Sequence, residues 1–177
     1  MKTKKRPDII GLILYIVIFL VILFLLNTYV TGQFQVSGVS MEPALFDKDL
    51  LVLDKLSVGT GNIERGDIVI FRYLYDNDVH YVKRVIGLPG ETVQIKDGLI
   101  YIDGEVLPQQ YSGEVISDAG IAGKPMILSG EEYFVLGDNR NNSIDSRSAD
   151  VGAVKKADIV GKVAFRLLPL ERFGGVD

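Results

Sequence analysis

Apolar positions divide the chain into two unlike parts. From Ile9 to Leu26, eighteen residues run without a charge, and low polarity continues to Val30. Apart from Gly11 and Tyr15 the run is apolar on every side, whereas a helix on a soluble core carries a polar stripe. A helix over residues 9–30 would be about 33 Å long, enough to cross a bilayer's hydrocarbon core. The rival reading is a cleavable export signal, whose apolar core spans about 7–15 residues and ends in a small-x-small site. Here the run is longer, and Asn27-Thr28-Tyr29-Val30-Thr31-Gly32 offers no such site. The expectation is a basic cytoplasmic segment (1–8), a retained single-pass anchor (9–30) and an exported domain (31–177) on the outer face of the cell membrane.

Beyond Phe34 the pattern changes to short β-rich runs broken by Gly, Asp and Pro. Residues 50–53, 67–73, 79–88, 132–136 and 159–167 read as strands. Asp97-Gly98, flanked by alternating apolar residues, predicts a two-residue hairpin turn, and a second Asp-Gly pair follows at 103–104. Met41 to Phe46 suits a short turn, and residues 109–130, rich in Gly and Ser, read as an irregular excursion. The fold class expected is mainly β, a barrel-like or sandwich domain behind one N-terminal transmembrane helix.

Composition narrows the chemistry. The chain has 177 residues, no cysteine and a single histidine, His80. Disulfides, thiolate metal sites and thiol nucleophiles are excluded, as is a histidine metal cluster. Four basic residues against Asp8 give the first eight residues +3, and the other 15 basic and 22 acidic residues leave −7 for the rest. An acidic body argues against a nucleic-acid partner.

Three stretches hold candidate chemistry. Ser40, in Ser37-Gly38-Val39-Ser40-Met41-Glu42-Pro43, is either a turn residue or a nucleophile. Serine needs a base, and with histidine scarce a lysine is the alternative, provided it is neutral when it acts. Lys83 shares a strand face with Val79, Tyr81 and Val85; it is either a buried base or an edge residue snorkelling to water. His80 falls on the opposite face and reads as a surface or packing residue. The segment Gly137 to Arg147, dense in Asn, Asp and Ser, is a loop: a self-capping turn, or one that shores up a site with Asp–Arg pairs. Arg65 and Asp67 flank a turn entering a strand, and their charges read as structural.

Taken together, SGVSMEPAL, RGDIVIF, VKRVIGLPGE and GDNRNNSIDSR, in this order behind an anchor, resemble the type I signal peptidases (leader peptidases) of the small, single-anchor Gram-positive kind. The resemblance implies a largely β fold and a Ser-Lys dyad, with Ser40 as nucleophile and Lys83 as general base. It implies that Ser143 positions the lysine, that Arg84, Asp138, Asp145 and Arg147 support the site, and that the Ser40 N–H helps hold the oxyanion. Phe34, Val36, Met41, Leu45, Ile70, Tyr81 and Val82 are expected at or near apolar pockets for the small side chains that precede the scissile bond. The partners implied are the signal peptides of exported preproteins and the lipid bilayer, with no metal and no organic cofactor.

Two positions depart from the family's pattern. Ala44 stands where many members have Thr, and Gly38 where some have a serine that helps bind the oxyanion. A second oxyanion donor is therefore unassigned, and such a donor is worth about 2.7–4 kcal/mol. A related branch uses histidine in place of lysine, and Lys83 in its Lys-Arg context excludes it. A self-cleaving repressor-type Ser-Lys protein fits less well, since an anchor rather than a DNA-binding segment precedes the serine. A tethered β domain that binds without cleaving would not need both Ser40 and Lys83.

Overall fold

The computed structural model describes residues 9–25, 31–108 and 114–176. The apolar run forms a helix, α1 (Ile9–Leu25), whose side chains from Ile9 to Phe24 are exposed except at Gly11. Its 17 residues span about 26 Å, and among the described residues no helix is long and apolar enough to cross a membrane. Residues 26–30 of the expected anchor lie outside the described residues, as do 1–8.

The remainder is antiparallel β. The strands are β1 (Thr31–Gln35), β2 (Leu50–Asp54), β3 (Ile68–Tyr73), β4 (Asp76–Gly87), β5 (Thr92–Lys96) and β6 (Leu99–Ile102), then β7 (Glu105–Val106), β8 (Met126–Ile127), β9 (Glu132–Leu136), β10 (Val154–Lys155) and β11 (Ile159–Leu168). Seven of them form one sheet in the order β1-β2-β11-β3-β4-β9-β10, and four form a second in the order β7-β6-β5-β8. The larger sheet is open, with β1 and β10 at its edges, so the barrel-like expectation is met by two antiparallel sheets rather than by one closed barrel.

Alternation places the strands as expected, since residues two apart share a face. In β2, for example, Leu51 and Leu53 are buried while their neighbours are half-buried. The turn at Asp97-Gly98 has φ of +53° and +76°, and Asp103-Gly104 repeats this with +52° and +86°. Positive φ at both central residues matches the right-handed twist of the flanking strands. Four short helical pieces among the described residues were not foreseen: α2 (Leu56–Thr60) and 3₁₀ turns at Gly120–Gly123, inside the excursion read as irregular, at Lys156–Asp158 and at Leu170–Arg172. Residues 109–113 of that excursion lie outside the described residues.

Strand β4 is the organising element. It lies between β3 and β9, with Lys83 opposite Val69 and Arg84 between Ile68 and Leu136. Val82, Val85 and Ile86 each join a different apolar cluster. Lys83 and Arg84 therefore sit where three cores meet, far from either sheet edge.

Candidate active site

The loop after β1 is pinned before it reaches Ser40. Val36, Met41 and Leu45 are buried, and Leu45 N–H donates to Met41 O at 2.9 Å. Asp49, fully buried, accepts from the Phe46 N–H at 3.0 Å, from Arg166 at 3.0 Å and from Arg172 at 2.8 Å. Arg166 also donates to Ala44 O at 3.1 Å, and Gly38 N–H donates to the Asp47 carboxylate at 3.0 Å. A short segment with little core of its own is thus held by ionic and backbone contacts at both ends.

Lys83 is 3% exposed, which removes the snorkelling alternative. Its Nζ lies 2.7 Å from Ser40 Oγ and donates to Val82 O at 3.0 Å. The same nitrogen stands 5.4 Å from the centre of the Tyr81 ring. Burial pushes the Lys83 ammonium down from its ordinary 10.5 to about 8, against the opposing pull of Asp145 and Asp138.

The 137–147 loop supplies those carboxylates, each matched to an arginine. Asp138 receives Arg84 Nε and Nη2 at 2.8 and 2.7 Å, and Arg84 Nη1 reaches Gly66 O at 2.8 Å. Asp145 receives Arg147 Nε and Nη2, both at 2.8 Å, and the Gly137 N–H at 3.0 Å. The four support residues named from the sequence therefore form two buried, two-pronged ion pairs. The charges at the turn entering β3 are structural as well: Arg65 pairs with Glu91, and Asp67 with Lys162.

Ser143 departs from expectation. Its hydroxyl is buried and has no hydrogen-bond partner among the described residues, so it makes no bond to Lys83 here. It does line the same groove, packed against Gly137. A Cβ at Gly137 would overlap Ser143 Oγ and come within 2.5 Å of Ser40 O. Only glycine lets the two serine-bearing segments approach this closely.

The groove has a volume of about 400 Å³. Phe34, Tyr81 and Val82 border it together with Ser40, Lys83 and Ser143. Val36, Met41, Leu45 and Ile70 do not; they are buried in the core cluster beneath, with Val82 among them. Val36, Met41 and Leu45, expected to help line pockets, and Ile70, expected nearby, are thus core residues rather than border residues of this groove. His80 borders the groove too, its ring 6.4 Å from that of Phe34, but its Nδ1 faces Asp78 O rather than Ser40. The Ser40 N–H makes no hydrogen bond among the described residues, whereas the Gly38 N–H is taken by Asp47.

Sequence reasoning missed several residues that build this geometry. Asp49 braces the serine loop, and Gly137 permits the close approach. Asn139 ties the two loops together, its N–H donating to Ser40 O at 3.1 Å and its Nδ2 to Val39 O at 3.2 Å. Arg140 is 2% exposed, with Nε and Nη1 lacking partners among the described residues, and burial holds its guanidinium below its ordinary value. Nothing in the local sequence separates these from ordinary loop residues; their partners lie far away along the chain.

Known proteins resemble this chain over most of its length. The family described as signal peptidase, peptidase S26, matches residues 9–168. A protein named signal peptidase I P from Bacillus subtilis subsp. natto is 38% identical over 176 residues, covering 96% of this chain and 94% of that protein. Signal peptidase I of Bacillus licheniformis is 35% identical over 99% of this chain and 97% of its own length. Signal peptidase IB of Staphylococcus aureus (strain COL) is 32% identical over 95% of this chain and 94% of its own length. A crystal structure of a signal peptidase I from Enterococcus faecalis V583 is 33% identical, with a TM-score of 0.47, covering 56% of this chain and 94% of that one.

Proposed function

The chain belongs to the signal peptidase (peptidase S26) family, and from that premise we propose that it is a membrane-anchored Ser-Lys endopeptidase that removes signal peptides from exported preproteins. The observation that carries the reading is the 2.7 Å separation of Lys83 Nζ and Ser40 Oγ inside a groove open to an extended chain. Neutral Lys83 accepts the Ser40 proton as Oγ attacks the scissile carbonyl. The Ser40 N–H, free of other acceptors among the described residues, is the donor we assign to the developing oxyanion. Lys83 then gives that proton to the leaving amine, and, neutral again, takes a proton from the water that hydrolyses the acyl-enzyme.

Lys83 is suited to this because no carboxylate pairs with it among the described residues. A base titrating near 8 is neutral in about a tenth of molecules at pH 7, against well under a thousandth at 10.5. The apolar helix α1 supports the anchoring, because its exposed, stripe-free surface matches a lipid environment better than water. Holding catalyst and substrate on one membrane surface raises their effective concentration.

The test is preprotein cleavage by the purified full chain beside Ser40→Ala and Lys83→Ala. Each substitution should lower kcat/KM by on the order of 10⁴-fold or more. Normal processing by either variant would refute the dyad.

A further inference from the structure

The excursion at 114–123 does more than decorate the small sheet. Ile116 and Ala122 are buried in the core beneath that sheet, and Ile116 N–H donates to Gly98 O at 3.4 Å. From this footing the segment reaches the 137–147 loop at two points. The first is Asn141, whose Oδ1 accepts from Ser117 N–H at 2.9 Å and Ser117 Oγ at 2.8 Å. Its Nδ2 donates to Val115 O at 3.1 Å and to the Glu114 carboxylate at 3.3 Å. An asparagine side chain has two acceptor sites and two donor hydrogens. All four are spent on one segment more than twenty residues away.

The second point is Arg147. Its carbonyl accepts from Ile121 N–H at 2.9 Å, and its Nη1 reaches Asp118 O at 3.2 Å. A Cβ at Gly120, whose φ is +52°, would overlap that carbonyl. The loop so gripped is stitched on its other side to the serine segment by Asn139. Between the two stitches, Asn141, Asn142, Ser143 and Ile144 border the groove that holds Lys83.

We propose that Asn141 is a positioning residue: with residues 114–121 it latches the 137–147 loop beside Lys83 and keeps water from the lysine amine. The inference rests on the Ser-Lys reading given above. The groups facing Lys83 are Asp138 and Asp145 from the loop, each matched to an arginine (Arg84 and Arg147), with Tyr81 from its own strand. His80 is the other titratable residue of the groove, and Arg140 is a further cation of the loop. Both carboxylates favour the ammonium, so burial alone accounts for the lowered value of Lys83. Loosening the loop hydrates the ammonium and returns Lys83 toward its ordinary value. The acid limb of activity then moves to higher pH.

The experiment uses the full-length chain in detergent micelles, wild type beside Asn141→Ala, with kcat/KM for a preprotein followed from pH 6 to 10.5 and amide hydrogen exchange read over residues 143–147. We expect the acid limb of Asn141→Ala to move up by about one pH unit, giving roughly tenfold lower activity at pH 7 and recovery to within about twofold at the alkaline end. Exchange at 143–147 should quicken while the thermal transition of the whole chain stays cooperative. An unmoved limb, or an equal loss at every pH, would overturn the positioning role, since a merely structural residue behaves that way. Unchanged exchange would overturn the latch. If Lys83→Ala keeps wild-type activity, the dyad itself has failed, a result distinct from an unmoved limb in an enzyme that still depends on Lys83.

Discussion

Lys83 and Arg84 are adjacent on β4, carry the same formal charge and are almost equally buried, at 3% and 2% exposure. They nonetheless live in opposite electrostatic settings. Arg84 meets both oxygens of Asp138 and the Gly66 carbonyl, so its desolvated charge is compensated. Lys83 meets only a hydroxyl and a carbonyl, and no carboxylate lies within ion-pair distance of it among the described residues. Burial therefore acts on it unopposed by a contact ion, and the ammonium form is disfavoured. One buried cation is structural because it is paired, and its neighbour is chemically usable because it is not. Lysine and arginine are not interchangeable here, since guanidinium does not lose its proton in a protein.

The largest effect should come from breaking the paired side. Asp138→Ala leaves Arg84 buried without its carboxylate and should cost about 3–5 kcal/mol of unfolding free energy, read from denaturant melts. A shift under 1 kcal/mol would mean that Arg84 finds another partner. On the unpaired side the sign reverses. In the folded chain Lys83 releases its proton near 8, and in the unfolded chain near 10.5. The cost of burying the ammonium is therefore fully present below pH 8 and is relieved as pH rises from 8 to 10.5. Lys83→Met should stabilise the inactive protein by roughly 3 kcal/mol at pH 7, a gain that fades above pH 10. Equal stability of the two proteins at pH 7 would contradict an unpaired buried lysine. A smaller effect is expected at Gly137. Gly137→Ala forces Ser143 and the Ser40 carbonyl apart and should cost about 1–3 kcal/mol. Its cleavage rate should fall more than its substrate binding, measured as kcat against KM.

How much of this was legible beforehand follows from the range of each interaction. The Asp97-Gly98 turn is a local pattern and stands where the residues placed it, and the apolar run is helical over Ile9–Leu25, whereas β4 is buried continuously from Val82 to Gly87 rather than on alternate residues. Ser40 and Lys83, 43 residues apart, came from absence of other chemistry together with resemblance, and in the structure they lie 2.7 Å apart. The pocket residues were carried over as a set. Phe34, Tyr81 and Val82 border the groove, but Val36, Met41, Leu45 and Ile70 are core, because an apolar residue beside a site is equally suited to support it from below. Asp49, Asn141 and Gly120 were illegible for another reason. Aspartate, asparagine and glycine are ordinary turn residues, and only their distant partners, Arg166, Ser117 and the Arg147 carbonyl, reveal what they do.

The contrast between the two cations can be read atom by atom. Full-length chain carrying ¹³C-labelled lysine, with Lys83→Met used to assign the resonance, should give a Lys83 side-chain signal that titrates near pH 8. If the Lys83 signal titrates instead at the ordinary 10.5, its amine is charged at working pH and the account of Lys83 as the base is wrong.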